Sequence, residues 1–122
     1  MRRSLDFKKK ARVIIVDDNY DHLSGIKELI EIESDFDVVA TATSASVAIS
    51  LIKKYRPEIV LMDINMPEKD GLTAIAEIEK LDLGVRIIAL TGYDDPDLIF
   101  RAMKIGAKGY ILKTMALSLI HI

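Results

Sequence analysis

Acidic side chains follow two apolar stretches of this 122-residue sequence, each at a point where a buried strand would end. Asp17 and Asp18 come directly after the stretch 12–16, and Asp63 follows the stretch 59–62. Clustered carboxylates raise one another's pKa unless a cation neutralises them. Oxygen ligands without histidine or cysteine suit a hard cation such as Mg²⁺, and a carboxylate can also become an aspartyl phosphate. The acids therefore indicate a magnesium-dependent phosphoryl acceptor.

A hydroxyl and an ammonium group end two later apolar stretches. Thr91 follows the stretch 86–90, and Lys113 follows the stretch 109–112. During phosphoryl transfer, charge spreads over the equatorial oxygens of the phosphoryl group, where a cationic side chain and a hydroxyl donor stabilise it. Thr91 and Lys113 are therefore predicted to belong to the same site as the acids.

These side chains require a scaffold that brings the ends of several strands to one edge. Five short runs rich in Val and Ile are predicted to be strands buried on both faces. The runs are 12–16, 37–42, 59–62, 86–90 and 109–112. Amphipathic helical patterns lie between them, and Asp95 as N-cap, Pro96 and Gly106 bound the fourth helix. This repetition predicts an α/β fold with a parallel sheet and a ligand site at the carboxyl ends of its strands.

The composition fits one small domain and excludes several kinds of site. Half of the residues are hydrophobic, 30% are charged and none is cysteine. A disulfide scaffold, a thiol nucleophile and a thiolate zinc site are therefore excluded. Apolar runs of about five residues are far shorter than the roughly 20 residues that span a bilayer, so no membrane partner is expected. The cytoplasm is the expected location, because no secretory signal is recognisable.

Charge is distributed unevenly along the chain. The first twelve residues contain six basic residues and one acid, whereas residues 13–122 carry a net charge of −7. An acidic domain gains little from contacts with a phosphate backbone, so we expect the domain itself to bind no nucleic acid. Residues 1–11 are interpreted as a basic N-terminal leader, and residues 12–122 as the folded domain.

Four motifs follow one another along the chain: Asp17-Asp18, the segment Asp63-Ile64-Asn65-Met66-Pro67-Glu68-Lys69-Asp70-Gly71, Thr91, and Gly106-Ala107-Lys108-Gly109-Tyr110 leading to Lys113. In this order and at these spacings, they make the stretch from about 12 to 113 similar to a response-regulator receiver domain, the phosphoacceptor half of two-component signalling. The resemblance implies a flavodoxin-like, doubly wound sheet of five parallel strands in the order 2-1-3-4-5.

The resemblance also implies roles for the acidic residues. Asp63 would be the phosphoacceptor and a ligand of Mg²⁺. Asp18 would bind the metal directly, Asp17 largely through water, and Asn65 through its backbone carbonyl.

Other residues are implied to respond to the phosphoryl group. Thr91 would hydrogen-bond one of its oxygens, and Lys113 would pair with it. Tyr110 would turn inward when Thr91 moves towards the phosphate. Asn65 and Tyr93 fall where such domains tune the lifetime of the phosphoryl group.

A receiver domain would act as a switch rather than as an enzyme that turns over a substrate. A sensor histidine kinase or a phosphotransfer protein would donate the phosphoryl group, and the face formed by the fourth helix and fifth strand would change for a partner. Thr114 in place of proline and the glycine-rich approach to Tyr110 are similar to receivers that carry helix-turn-helix output domains. We therefore expect an output domain that this chain lacks, and a homodimer as a further partnership.

Alternative interpretations stay open at the level of sequence. Asp18 could cap the following helix, and Asp17 could form an Asx turn. Tyr110 could be a half-buried aromatic residue of an edge strand. A phosphorylation-independent interaction module could use the same fold, although such domains tend to lose an acid, the threonine or the lysine.

The segment 114–122 departs from the family pattern, which places a three-turn helix after the fifth strand. Its apolar positions follow no helical period, and 117–122 resembles translated sequencing-adapter sequence. We therefore expect this chain to be a fragment, with the fifth helix truncated or absent and apolar surface exposed where that helix would dock. The alternative is a naturally short last helix.

Overall fold

The computed structural model describes residues 10–33, 35–66, 71–92 and 94–114. Strands and helices alternate along these residues. They are β1 (Ala11–Val16), α1 (Tyr20–Ile32), β2 (Phe36–Ala42), α2 (Ala45–Tyr55), β3 (Ile59–Asp63), α3 (Gly71–Leu81), β4 (Arg86–Thr91), α4 (Pro96–Ile105) and β5 (Gly109–Leu112). All five predicted strands are present, and four of them are one residue longer than predicted. The added residue of β1, Ala11, is the last residue of the predicted leader.

The strands form one parallel sheet in the order β2-β1-β3-β4-β5. This order confirms the flavodoxin-like fold. Val16 lies opposite Met62, so the next residues, Asp17 and Asp63, stand at the same level on adjacent strands. Thr91 ends β4 one residue beyond the level of Asp63. The register therefore places the chemistry-bearing residues along one edge of the sheet.

The helices cover the two faces of the sheet unequally. The larger core lies beneath α2, α3 and α4 and includes Ile14, Ile52, Val60, Ile75 and Ile87. The smaller core lies beneath α1 and consists of Val13, Ile15, Leu23, Ile26, Leu61 and Leu90. Successive residues of a strand point to opposite faces, so the adjacent residues Ile14 and Ile15 are both buried only because helices cover both sides.

The two edge strands are less buried than the sequence predicts. Most residues of β2 are partly exposed, and the middle of β5 is exposed at Tyr110 and Ile111. An edge strand has a neighbour on one side only, and the helices do not close over it fully. The prediction of burial on both faces is therefore wrong for β2 and β5, whereas most residues of the inner strands β1, β3 and β4 are buried.

The fourth helix begins and ends at the predicted residues. Asp95 is its N-cap and accepts a hydrogen bond from the backbone N–H of Leu98 (3.2 Å), and Pro96 occupies the first turn. Gly106 ends the helix with a φ of 143°, a conformation that favours glycine. A Cβ there would also lie 2.4 Å from Cγ of Glu79. These contacts fix the position of α4 against α3.

The described residues contain four helices, which is consistent with a fifth helix that is truncated or absent. Residues 115–122, on which that expectation rests, and residues 1–9 of the leader lie outside the described residues. Among the helices that the structure describes, none has the length and apolar character needed to cross a bilayer.

Candidate functional site

Asp63 ends β3 and is fully buried at the carboxyl edge of the sheet. Its Oδ1 accepts a hydrogen bond from the backbone N–H of Asn65 (2.8 Å), which closes an Asx turn. The start of α3 packs tightly against this turn, because a Cβ on Gly71 would lie 2.2 Å from the carbonyl oxygen of Asp63. A buried carboxylate costs stability unless it is partnered, so Asp63 depends on its neighbours.

Asp17 forms a second turn of the same kind at the end of β1. Its Oδ1 accepts a hydrogen bond from the backbone N–H of Asn19 (2.9 Å), and the residue is fully buried. Asn19 is also the N-cap of α1, since its Oδ1 accepts from the backbone N–H of His22 (3.1 Å). The Asx-turn interpretation of Asp17 is therefore confirmed, and the interpretation of Asp18 as the helix cap is wrong.

Lys113, directly after β5, joins the two turns. Its Nζ lies 3.0 Å from Oδ2 of Asp63, to which it donates a hydrogen bond, and 3.0 Å from Oδ2 of Asp17. Only 6% of Lys113 is exposed. One ammonium group thus faces two buried carboxylates, which leaves this part of the site with excess negative charge.

The pKa values of the buried pair reflect this environment. Burial raises the pKa of Asp63 above its ordinary value of 3.8; hydrogen bonds from Asn65 and Lys113 oppose the rise, and the charge of Asp17 adds to it. Burial alone would lower the pKa of Lys113, but hydrogen bonding and attraction to Asp63 and Asp17 raise it above 10.5. Lys113 is therefore protonated at neutral pH, and an additional cation would favour the ionised form of Asp63.

The arrangement of the acids fits such a cation. Carboxylate oxygens of Asp17, Asp18 and Asp63 lie within 4.8 Å of one another, and Asp18 is exposed to solvent. The donors are oxygens only, which suits Mg²⁺, a hard cation that takes one or two carboxylates and retains water. Asn65, whose carbonyl was the fourth predicted ligand, belongs to the same turn as Asp63.

Thr91 and Tyr110 occupy different positions relative to this cluster. Thr91 is fully buried at the end of β4, where its neighbour Leu90 lies opposite Asp63. Tyr110 is half exposed, as expected of an aromatic residue on an edge strand, and its inward turn stays a prediction. Tyr93, together with residues 67–70 of the motif that begins at Asp63, lies outside the described residues.

Two side-chain contacts near the acids were not predicted from the sequence. The side-chain Oδ1 of Asn65 accepts a hydrogen bond from the backbone N–H of Gly92 (3.0 Å), which links the turns after β3 and β4. Nδ1 of His22 is buried and lies 4.0 Å from Oδ2 of Asp17. An asparagine two residues after a strand-ending aspartate is a signal for a turn. No sequence signal identifies Gly92 as the partner of Asn65, or His22 as the neighbour of Asp17.

Comparison with known proteins assigns this arrangement to a family. The model of the response regulator receiver domain matches residues 13–122. Transcriptional regulatory protein YdfI of Bacillus subtilis is 41% identical over 112 residues, which cover 90% of this chain and 52% of that protein. Chemotaxis protein CheY of the same species is 37% identical over 102 residues, which cover 84% of each protein.

A solved structure supports the same assignment. A two-component response regulator of the LuxR family from Aurantimonas sp. SI85-9A1 is 32% identical, with a TM-score of 0.83 over 93% of this chain and 81% of that one. The chain spans about half the length of the transcriptional regulators that it matches. The family match, the fold and the acidic cluster agree, and the chain belongs to the response-regulator receiver family.

Proposed function

We propose that Asp63 accepts a phosphoryl group from a phosphohistidine of a sensor histidine kinase or a phosphotransfer protein. The observation that carries this proposal is the burial of the Asp63 carboxylate 3.0 Å from the Lys113 ammonium, beside two further acids. A buried acid in contact with a lysine and crowded by other carboxylates has no evident structural benefit. The same set of groups is suited to receive and neutralise a phosphoryl group.

The residues of this chain would divide the chemistry among them. In the transfer, the P–N bond to the donor imidazole breaks and its electron pair stays on the nitrogen, while an oxygen of Asp63 forms the new O–P bond. Asn65 and Lys113 hold the Asp63 carboxylate in position through their hydrogen bonds to its two oxygens. Lys113 then offsets the charge of the phosphoryl group, and Thr91 donates its hydroxyl to a phosphoryl oxygen.

Asp17, Asp18, Asp63 and the backbone carbonyl of Asn65 would hold Mg²⁺ at this site. When bound, Mg²⁺ supplies positive charge to the phosphoryl oxygens and relieves the repulsion among the acids. The carboxylate oxygens that lie within 4.8 Å of one another support this assignment. Asp18, the exposed member, is open to an ion that enters from solvent.

The phosphorylated domain would act as a switch and not as an enzyme that turns over a substrate. Its output would pass through the face formed by α4 and β5, where Phe100 and Tyr110 are exposed. Because the matched transcriptional regulators are about twice as long, we propose that the natural partner of this face is an output domain in the same protein. We further propose that the receiver domain forms a homodimer and that the protein is located in the cytoplasm.

Acetyl phosphate tests the acceptor in the absence of a kinase. With Mg²⁺, the intact mass of the chain should rise by one phosphoryl group, and the added mass should be lost in mild base, as acyl phosphates are. Asp63→Asn should abolish the gain, whereas Asp97→Asn, which changes an exposed aspartate of α4, should leave it intact. Stoichiometric labelling of Asp63→Asn would refute the proposal.

A further inference from the structure

The side chain of Asn65 connects two turns that end adjacent strands. Asn65 lies two residues beyond Asp63, and its Oδ1 accepts a hydrogen bond from the backbone N–H of Gly92 (3.0 Å), the residue directly after Thr91. The bond therefore links the turn that holds the candidate phosphoacceptor to the segment that carries the candidate hydroxyl donor. It spans 27 residues of sequence.

This hydrogen bond uses a backbone donor at the same edge of the sheet as Asp63, since Gly92 lies two residues beyond Leu90, the residue opposite Asp63. The backbone N–H of Asn65 is committed to Oδ1 of Asp63 (2.8 Å), and the N–H of Gly92 is committed to the Asn65 side chain. A phosphoryl group adds oxygens with strong acceptor character at this edge, and backbone N–H groups are effective donors to such oxygens. The amide oxygen of Asn65 occupies the donor on the Thr91 side of the site.

We propose that Asn65 is a positioning residue whose side-chain oxygen holds the place of a phosphoryl oxygen. While Asp63 is unmodified, Asn65 keeps the N–H of Gly92, and with it the Thr91 segment, in the resting position. After phosphorylation, a phosphoryl oxygen takes over the Gly92 donor and the Asn65 oxygen is released. This inference rests on the proposed function, because it needs a phosphoryl group at Asp63.

The exposure and the neutral charge of the Asn65 side chain keep the free-energy cost of this exchange low. Asn65 is exposed, so its released oxygen can hydrogen-bond to water instead of remaining unsatisfied. An amide oxygen is neutral, so it accepts from Gly92 without adding a fourth negative charge beside Asp17, Asp18 and Asp63. The Asn65–Gly92 hydrogen bond can thus hold the resting segment and still give way to a phosphoryl oxygen.

Beryllofluoride with Mg²⁺, a stable mimic of the phosphoryl group, tests the exchange by its dissociation constant. The wild-type chain loses the Asn65–Gly92 hydrogen bond on binding, whereas Asn65→Ala has none to lose. We expect Asn65→Ala to bind about two- to tenfold more tightly, the factor that corresponds to one net hydrogen bond. Asn65→Leu, which keeps the approximate size of the side chain without its acceptor, should change the affinity in the same direction.

A second readout follows the Gly92 donor itself. In the unmodified chain, amide hydrogen exchange at Gly92 should be faster in both Asn65 variants than in the wild type. The matched control is Asp95→Ala, which loosens the start of α4 by removing its cap but leaves the Asn65–Gly92 bond intact. Its affinity for beryllofluoride should stay within about twofold of the wild-type value, the lower end of the effect of one hydrogen bond.

The outcomes separate the inference from the function on which it rests. A wild type that does not bind beryllofluoride would refute the proposed function and this inference together. If the wild type binds, an unchanged or lower affinity in the Asn65 variants, or an equal gain in Asp95→Ala, would overturn the inference alone. Opposite effects of Asn65→Ala and Asn65→Leu would attribute the change to side-chain size and would also overturn it.

Discussion

Two turns of this molecule share one sequence pattern and the same local geometry. Asp17 and Asn19 after β1, and Asp63 and Asn65 after β3, are each an aspartate followed two residues later by an asparagine. In both turns the aspartate Oδ1 accepts from the asparagine N–H, at 2.9 and 2.8 Å. Both aspartates are buried and both lie 3.0 Å from the ammonium of Lys113.

The asparagine side chains of the two turns bind different partners. Asn19 accepts from His22, three residues ahead in its own helix, whereas Asn65 accepts from Gly92 in another segment. The difference follows from the position of the next helix: α1 begins at Tyr20, directly after Asn19, but α3 begins only at Gly71. The same side chain therefore caps a helix in one turn and links two segments in the other.

The largest expected effect comes from removing the cation that the two turns share. Lys113→Met leaves Asp17 and Asp63 buried without their partner, and breaking a buried ion pair in this way costs about 3–5 kcal/mol. We expect a loss of that size in the free energy of unfolding, measured with urea in metal-free buffer. Mg²⁺ should restore more stability to Lys113→Met than to the wild type, because the substitution removes the ammonium group that faces both buried acids.

Lys108→Met is the control for the loss of a lysine. Lys108 is exposed, so its replacement should change the free energy of unfolding by no more than about 0.5 kcal/mol. A similarly small effect of Lys113→Met would contradict the ion-pair account of the site.

A smaller effect of opposite sign is expected at Asp63. Because burial raises its pKa, the ionised carboxylate opposes folding in the absence of metal. Asp63→Asn should therefore raise the free energy of unfolding at neutral pH by about 1–2 kcal/mol. Asp18→Asn should give a smaller gain, since Asp18 is exposed to solvent.

The pH dependence of stability provides the sign test for Asp63. The folded state holds the Asp63 proton more tightly than the unfolded state, so this contribution to stability is complete below pH 3.8, the ordinary pKa. It is lost as the pH rises through the raised pKa of the folded state. The stability of the wild type relative to Asp63→Asn should therefore fall as the pH rises across this range, and a rise would contradict the account.

The smallest effects distinguish the two asparagines. Asn19→Ala removes a helix cap and should cost about 1 kcal/mol in the free energy of unfolding. Asn65→Ala removes one net hydrogen bond and should cost about 0.5–1.5 kcal/mol in the unmodified chain, a loss that should disappear when beryllofluoride and Mg²⁺ are bound. Equal costs of the two substitutions in urea unfolding with beryllofluoride bound would mean that the two side chains have the same structural role.

The sequence predicts strands well because burial on both faces produces continuous apolar runs. The run 59–62 marks β3 to within one residue, whereas the exposure of Tyr110 depends on which strand forms the edge. The strand order came from the family resemblance, not from the apolar pattern. The partial burial of β2 could not be predicted from its apolar pattern either. It depends on how far the helices extend over the edge of the sheet.

The acidic cluster could be predicted because parallel strands end at one edge of the sheet. Asp17, Asp63 and Lys113 meet there as expected. The partners of Asn19 and Asn65 could not be predicted, because each depends on where the next helix begins to within one or two residues. Positions 17–19 are all residue types that favour a helix N-cap, so the sequence does not show which of them caps α1.

The central claim is that only the second turn carries the phosphoacceptor, and chemical mapping tests it most directly. After reaction with acetyl phosphate and Mg²⁺, borohydride reduction converts a phosphorylated aspartate to homoserine, which peptide mass spectrometry locates. We expect homoserine at position 63 and unchanged aspartate at positions 17 and 18. Homoserine at position 17 or 18, or at none of the three in the presence of Mg²⁺, would contradict the claim.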